Sequence, residues 1–201
     1  VLSIKGKPSF DTRNWEESAS NNMEIGKEYA VEWLNIDQVE SPEDDLRFRG
    51  YDDGAARFAR GEGMWYGNGE VYFACTNGGR KKQGQVFKYK PSPNEGQPLE
   101  KDQPGKLALM VEPNNNDIVT NCDNLTVANN GHLILCEDRP TPRIVGISPK
   151  GEMYHIAKNV GVQSEFAGST FSPDGSTLFV NIQVAGLTLA ITGPWGQDWS
   201  A

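Results

Sequence analysis

Oxygen-bearing side chains recur at one position relative to a tight turn. Glu62, Asn124 and Gly168 each stand seven residues before a glycine, Gly69, Gly131 or Gly175. Asp123 lies next to this position in its repeat, and Glu165 lies close by in its own. Carboxylates and carboxamides gathered in this way suit a hard cation such as Ca²⁺, which takes about six to eight oxygen ligands. Fe³⁺ also accepts carboxylates. The competing use of Asp and Asn at strand starts is an Asx turn. A second set follows the next apolar run: Thr76-Asn77, Glu137-Asp138-Arg139, and Asn181 with Gln183. Arg139 has the fork geometry to hold phosphate oxygens, its alternative being a surface ion pair. Trp65 is a candidate pocket wall or core filler.

Other chemistries lack their residues. His132 and His155 stand in neither HExxH nor HxxxH spacing, which argues against a His-rich zinc site. There is no GxSxG elbow and no phosphate-binding GKS or GKT loop. Gly67-Asn68-Gly69 opens a strand rather than a helix, against a dinucleotide site. Cys75, Cys122 and Cys136 have no CxxC spacing and allow at most one disulfide, so buried free thiols are expected. Asn114-Asn115-Asn116-Asp117 reads as a turn with oxygen donors. Asn124-Leu125-Thr126 matches a glycosylation sequon, a short pattern of low specificity.

The elements that must position these residues are short apolar runs bounded by Gly, Pro, Asn and Asp, such as 71–74, 86–89, 133–135 and 178–180. Three segments align as strand, Asn/Asp-Gly turn and apolar strand: 62–76, 124–138 and 168–183. The polar Pro/Gly loop 91–106 accounts for the longer first interval. Such a period, with about four strands per repeat, is the pattern of β-propeller blades. The predicted fold is all-β, a partial propeller of about three blades in a single domain over 1–201. Propellers close with about four to eight blades. Closure by a second copy or by an absent N-terminal half is therefore expected. A β-sandwich or split barrel is the alternative. Helix is predicted only around Asp37–Gly50, interrupted by Pro42, and for one or two turns over 53–60. Residues 11–27 are expected to be extended or at the surface, and residues 1–47 to complete a blade or wrap the outside.

A formal charge of -8 and a pI near 4.8 argue against nucleic acid and anionic membranes as partners. No apolar run approaches the length of a membrane helix. The chain starts at Val1 without a signal-like segment, which suggests a removed leader or a piece of a longer protein.

Over residues 48–196 the sequence resembles the PhoX alkaline phosphatase family. The resemblance is carried by Arg60-Gly61-Glu62-Gly63, by Cys122-Asp123-Asn124-Leu125 with Cys136-Glu137-Asp138, and by Glu165-Phe166-Ala167-Gly168. It continues through Phe171-Ser172-Pro173-Asp174-Gly175 and 178–183 to Gly193-Pro194-Trp195. It implies a propeller with an iron–calcium cluster in its channel, hydrolysis of phosphomonoesters, and a periplasmic or extracellular location. By motif, Glu62 and Glu165 match metal ligands, and Asp123, Asn124, Glu137 and Asp138 match channel-lining positions. Some members place an arginine just before the glutamate matching Glu165, where this chain has Gln163 two residues ahead. They also draw ligands from an N-terminal half that this chain lacks. The expected metal ligands are therefore Glu62 and Glu165, then Asp123, Asn124 and Glu137, with Arg139 toward the phosphate. A non-catalytic propeller binding module and a Ca²⁺-dependent lactonase-like hydrolase are the alternatives.

Overall fold

A computed structural model describes residues 1–16, 22–114 and 118–195. The chain is all-β, with three antiparallel sheets, none of them closed. In chain order the elements are β1 (Leu2–Ile4), β2 (Glu28–Trp33), helix α1 (Leu46–Asp52), β3 (Gly61–Gly67), β4 (Glu70–Cys75), β5 (Gln85–Lys90) and β6 (Lys106–Val111). There follow β7 (Cys122–Val127), β8 (Leu133–Glu137), β9 (Arg143–Ile147), β10 (Met153–Lys158), β11 (Phe166–Phe171), β12 (Thr177–Ile182) and β13 (Leu187–Thr192). The sheets run β1-β2-β6-β5-β4-β3, β10-β9-β8-β7 and β11-β12-β13. Each contains a meander whose first strand, β3, β7 or β11, lies at one edge.

Strand alternation explains the stacking, because successive side chains point to opposite faces. In β5, Val86 enters the core shared with β7 and β8, while Phe87 joins Phe10, Tyr29 and Leu107 on the other face. In β8, Leu133 and Leu135 pack toward the first sheet, and Ile134 and Cys136 pack toward Phe166, Leu178 and Val180 of the third. All five residues of β8 are buried, so the middle sheet is covered on both faces. The turns between first and second strands use Gly69, Gly131 and Gly175 at φ of 77°, 83° and 71°. This left-handed backbone is one glycine adopts without a Cβ clash.

Residues 1–47 add β1 and β2 to the outer edge of the first sheet, beyond β6. Part of the segment expected at the surface is buried. Asn14 donates to Glu112 Oε2 at 2.7 Å, and Gln85 donates to the same oxygen at 3.1 Å. Thr12 and Asn14 are buried because they lie against Glu112 and Gln85, polar groups that need partners. The helix expected over Asp37–Gly50 begins only at Leu46. Gln38, Ser41 and Asp44 have positive φ, and the Ser41 hydroxyl accepts the N–H groups of Asp45 and Leu46, forming a turn first. No helix spans 53–60. There the N–H groups of Ala56 and Arg57 donate to Leu2 and Phe10 in the N-terminal segment rather than along a helix. All three cysteines are free and buried. Burial pushes each thiol up to about 12, so all remain protonated at neutral pH.

Candidate functional site

The repeat position singled out in the sequence is a β-bulge in all three sheets. The register shifts between Gly61 and Met64 in β3, between Cys122 and Leu125 in β7, and between Ala167 and Thr170 in β11. The residues bracketed are Glu62-Gly63, Asp123-Asn124 and Gly168-Ser169. A bulge bends its strand and re-aims side chains, and bulges gather beside active sites. The bulged strands adjoin, β3 with β7 and β7 with β11. Gly63 makes the first approach possible: a Cβ there would stand 2.7 Å from the Asn124 Cα and 2.8 Å from the Asp123 carbonyl oxygen. Asn124 makes the second, its Oδ1 accepting the Ser169 N–H at 2.8 Å and the Ser169 hydroxyl at 3.1 Å.

This arrangement brings acidic side chains from all three sheets around one guanidinium. Arg60, just before β3, lies 3.4 Å from Glu62 and 3.1 Å from Asp138, which follows β8. Its own φ is 52°, uncommon for a residue with a Cβ, and the Thr76 N–H holds its carbonyl at 3.0 Å. Asp123 is raised above the usual carboxylate range, first by burial and then by the charges of Glu62 and Asp138. Glu165, just before β11, is pushed up to about 7 by burial, by its hydrogen bond to Asp138 and by the charges of Asp138 and Asp123. Arg60 opposes the rise at both. Four carboxylates and one arginine form the group, an excess of negative charge that a cation would relieve.

Glu62, Asp123 and Glu165 are thus brought together: Glu62 holds the aligned repeat position, Asp123 stands next to it in its repeat, and Glu165 three residues before it in its own. Arg60 and Asp138 lie among them, and strand alternation is the signal for Asp138: it faces opposite to Glu137. Glu137 lies apart, wholly buried, with Arg143 Nη2 2.5 Å from its Oε1. Its other acceptor positions take the Thr120 N–H and the Arg143 N–H and Nε. Asn124 sits in the β7 bulge, its side-chain oxygen engaged by Ser169. Arg139 lines an open cleft of about 500 Å³ with Asn121, Asp138, Gln163, Glu165 and Gln183. Trp65 is partly exposed, at 37%. Of the Asn114–Asp117 turn, residues 115–117 lie outside the described residues.

The family model for alkaline phosphatase PhoX matches residues 12–186, most of the sequence. The chain belongs to the PhoX alkaline phosphatase family. No curated protein and no solved structure matches it. PhoX proteins are metal-dependent. The donor chemistry of Glu62, Asp123, Asp138 and Glu165 fits that requirement. Their geometry here is centred on Arg60 rather than on a common point, and among the described residues no three His, Cys, Asp or Glu side chains are placed to hold an ion. No helix among the described residues is long and apolar enough to cross a membrane.

Proposed function

We propose that this chain is a metal-dependent phosphomonoester hydrolase of the PhoX type, or a segment of one, with its site at the bulges of β3 and β7 and just before β11. One observation carries the reading: Glu62, Asp123, Asp138 and Glu165, drawn from three sheets, surround Arg60. The family relationship supplies the reaction class. The meanders, with their bulged first strands side by side, support reading the sheets as propeller blades. Closure by a second copy or by an N-terminal half belongs to the same proposal, as does a periplasmic or extracellular location.

The four carboxylates are the groups that would hold Ca²⁺ and Fe³⁺, with Asn124 bracing β7 against β11. Such cations supply positive charge to the phosphoryl oxygens as negative charge builds there. Arg60 and Arg139 orient the phosphoryl group through charge-assisted hydrogen bonds. Arg60, held beside Glu62 and Asp138, is the guanidinium that would meet an ester bound among these carboxylates. In the reaction a water oxygen bonds to phosphorus and the ester P–O bond breaks. The leaving oxygen takes up a proton, giving an alcohol and inorganic phosphate.

The test is elemental analysis of the purified chain before and after chelation, with Ca²⁺ and iron added back, alongside phosphate release. Bound calcium and iron, with phosphate release lost in Glu62→Gln and Asp138→Asn, is the expected result. Calcium alone with lactone opening would replace the reading by a lactonase-like one. Metal bound without turnover of either substrate would leave a binding module.

A further inference from the structure

Arg60 has a second side. It also lines a cavity of about 1030 Å³ between α1, the N-terminal segment and residues 55–60. Such a volume is at the upper end of small-molecule sites. In a chain of net charge -8, the lining is basic: Arg13, Arg47, Arg57 and Arg60, against Asp44 alone among carboxylates. Arg13 is paired with Asp11, outside the lining, and Arg47 with Asp44, which is 86% exposed. Arg57 takes part in no ion pair among the described residues, and its guanidinium lies 5.7 Å from the Tyr51 ring. The aromatic lining keeps exposed area beside its cations. Phe48 is 59% exposed on α1, with the Arg47 guanidinium 4.5 Å from its ring. Trp15 is more fully covered, with two cations, Arg13 and Lys82, over its ring at 3.9 and 4.9 Å.

An exposed ring beside a guanidinium that is in no ion pair among the described residues, in a cavity that ends at the phosphate-orienting arginine, suits a leaving group. We propose that the cleft takes the alcohol portion of a phosphomonoester that carries a planar ring and a second anionic group, the chemistry of a nucleoside bisphosphate. This rests on the hydrolase reading above and adds its substrate class. The ring lies against Phe48 and Tyr51, the second phosphate meets Arg57 and Arg47, and the scissile phosphate stands at Arg60. Water adds its oxygen to that phosphorus, the ester P–O bond breaks, and the departing hydroxyl takes a proton. Inorganic phosphate and a nucleoside monophosphate result.

The experiment compares kcat/KM for adenosine bisphosphate, adenosine monophosphate and glycerol phosphate with the whole metal-loaded chain. The expected order is bisphosphate, then monophosphate, then glycerol phosphate. Arg57→Gln is expected to cut the bisphosphate-to-monophosphate ratio by about 10-fold, the equivalent of one charge-assisted contact. Phe48→Ala should cut the monophosphate-to-glycerol-phosphate ratio by about 5-fold, the range of an aromatic contact. Equal kcat/KM for the three esters overturns the proposal, as do ratios that neither variant moves. The order in the unaltered chain does not depend on either variant folding. If no ester releases phosphate, the hydrolase reading falls by itself, and calorimetric titration with adenosine bisphosphate decides the cleft. Binding weakened by Arg57→Gln sustains the anion site. Absence of binding, or binding no tighter than that of glycerol phosphate, removes it.

Discussion

Glu137 and Asp138 are neighbours at the end of β8, and their surroundings differ in every respect that matters to a carboxylate. Glu137 is wholly buried, and each of its oxygens receives donors from Arg143 or Thr120. His155, whose Nε2 lies 3.3 Å from Arg143 Nη1, donates from that nitrogen to the Ile118 carbonyl at 2.8 Å and so joins β10 to the loop before β7. Asp138 is partly exposed and shares one arginine with Glu62, while Asp123 and Glu165 crowd the same space. A buried acid whose donors are all supplied by its own chain fixes architecture. A group of acids short of positive charge keeps capacity for a ligand. The pair shows that an acid's local donor balance separates these roles better than its position in a motif does.

The sharpest way to break the comparison is to remove the partner of the buried acid. Arg143→Ala leaves Glu137 charged and enclosed, and losing one member of a buried pair costs about 3–5 kcal/mol. Urea unfolding should show that loss, with metal content per folded molecule unchanged. Removal of Arg60 is expected to cost little stability, because its carboxylates remain open to solvent. A stability loss for Arg60→Ala as large as that for Arg143→Ala would dissolve the distinction.

Gly63→Ala tests the approach of the strands that builds the crowded side. The new methyl group would meet the β7 backbone, which cannot give way as a flexible side chain can. Overpacking of this kind costs about 1–3 kcal/mol. Because the displaced backbone carries Asp123 and Asn124, metal uptake should fall along with the midpoint of unfolding. Stability loss with normal uptake would mean that the β3–β7 contact is structural and that the acids assemble without it.

Much of this was legible in the sequence, for reasons that lie in particular residues. Alignment on Gly69, Gly131 and Gly175 picked out the strand positions that the bulges re-aim in all three sheets, because repeats conserve turn chemistry and register together. The apolar runs gave β4, β5, β8 and β12 directly. What stayed hidden depended on tertiary partners. Thr12 and Asn14 read as surface residues because nothing local announces that they lie beside Glu112 and Gln85. The turn at Ser41 delays the helix through side-chain hydrogen bonds that helical spacing does not reveal. Arg60 was visible only as part of a motif, since its two carboxylate contacts come from separate sheets. Glu137 and Asp138 are adjacent in sequence, and the choice between them needed the facing of β8.

The smallest effect expected is also the most specific to the crowded side. The Glu165 carboxyl is raised from 4.5 to about 7. Between those values the folded chain binds more protons at this residue than the unfolded chain does. The derivative of unfolding free energy with pH is therefore negative, and stability falls as pH rises through that window. Without metal, Glu165→Gln should show a flatter profile there and match or exceed the parent above pH 7, with little difference below 4.5. Added Ca²⁺ should restore the parent's stability at high pH, since a ligand bound by the folded state alone stabilises it. The glutamine variant should gain less, having lost one anionic oxygen donor. Thermal unfolding against pH, with and without the cation, reads both effects in one series. Identical profiles for the two proteins would mean that Glu165 ionises as freely in the fold as outside it, and the crowding around Arg60 would then give no account of cation binding.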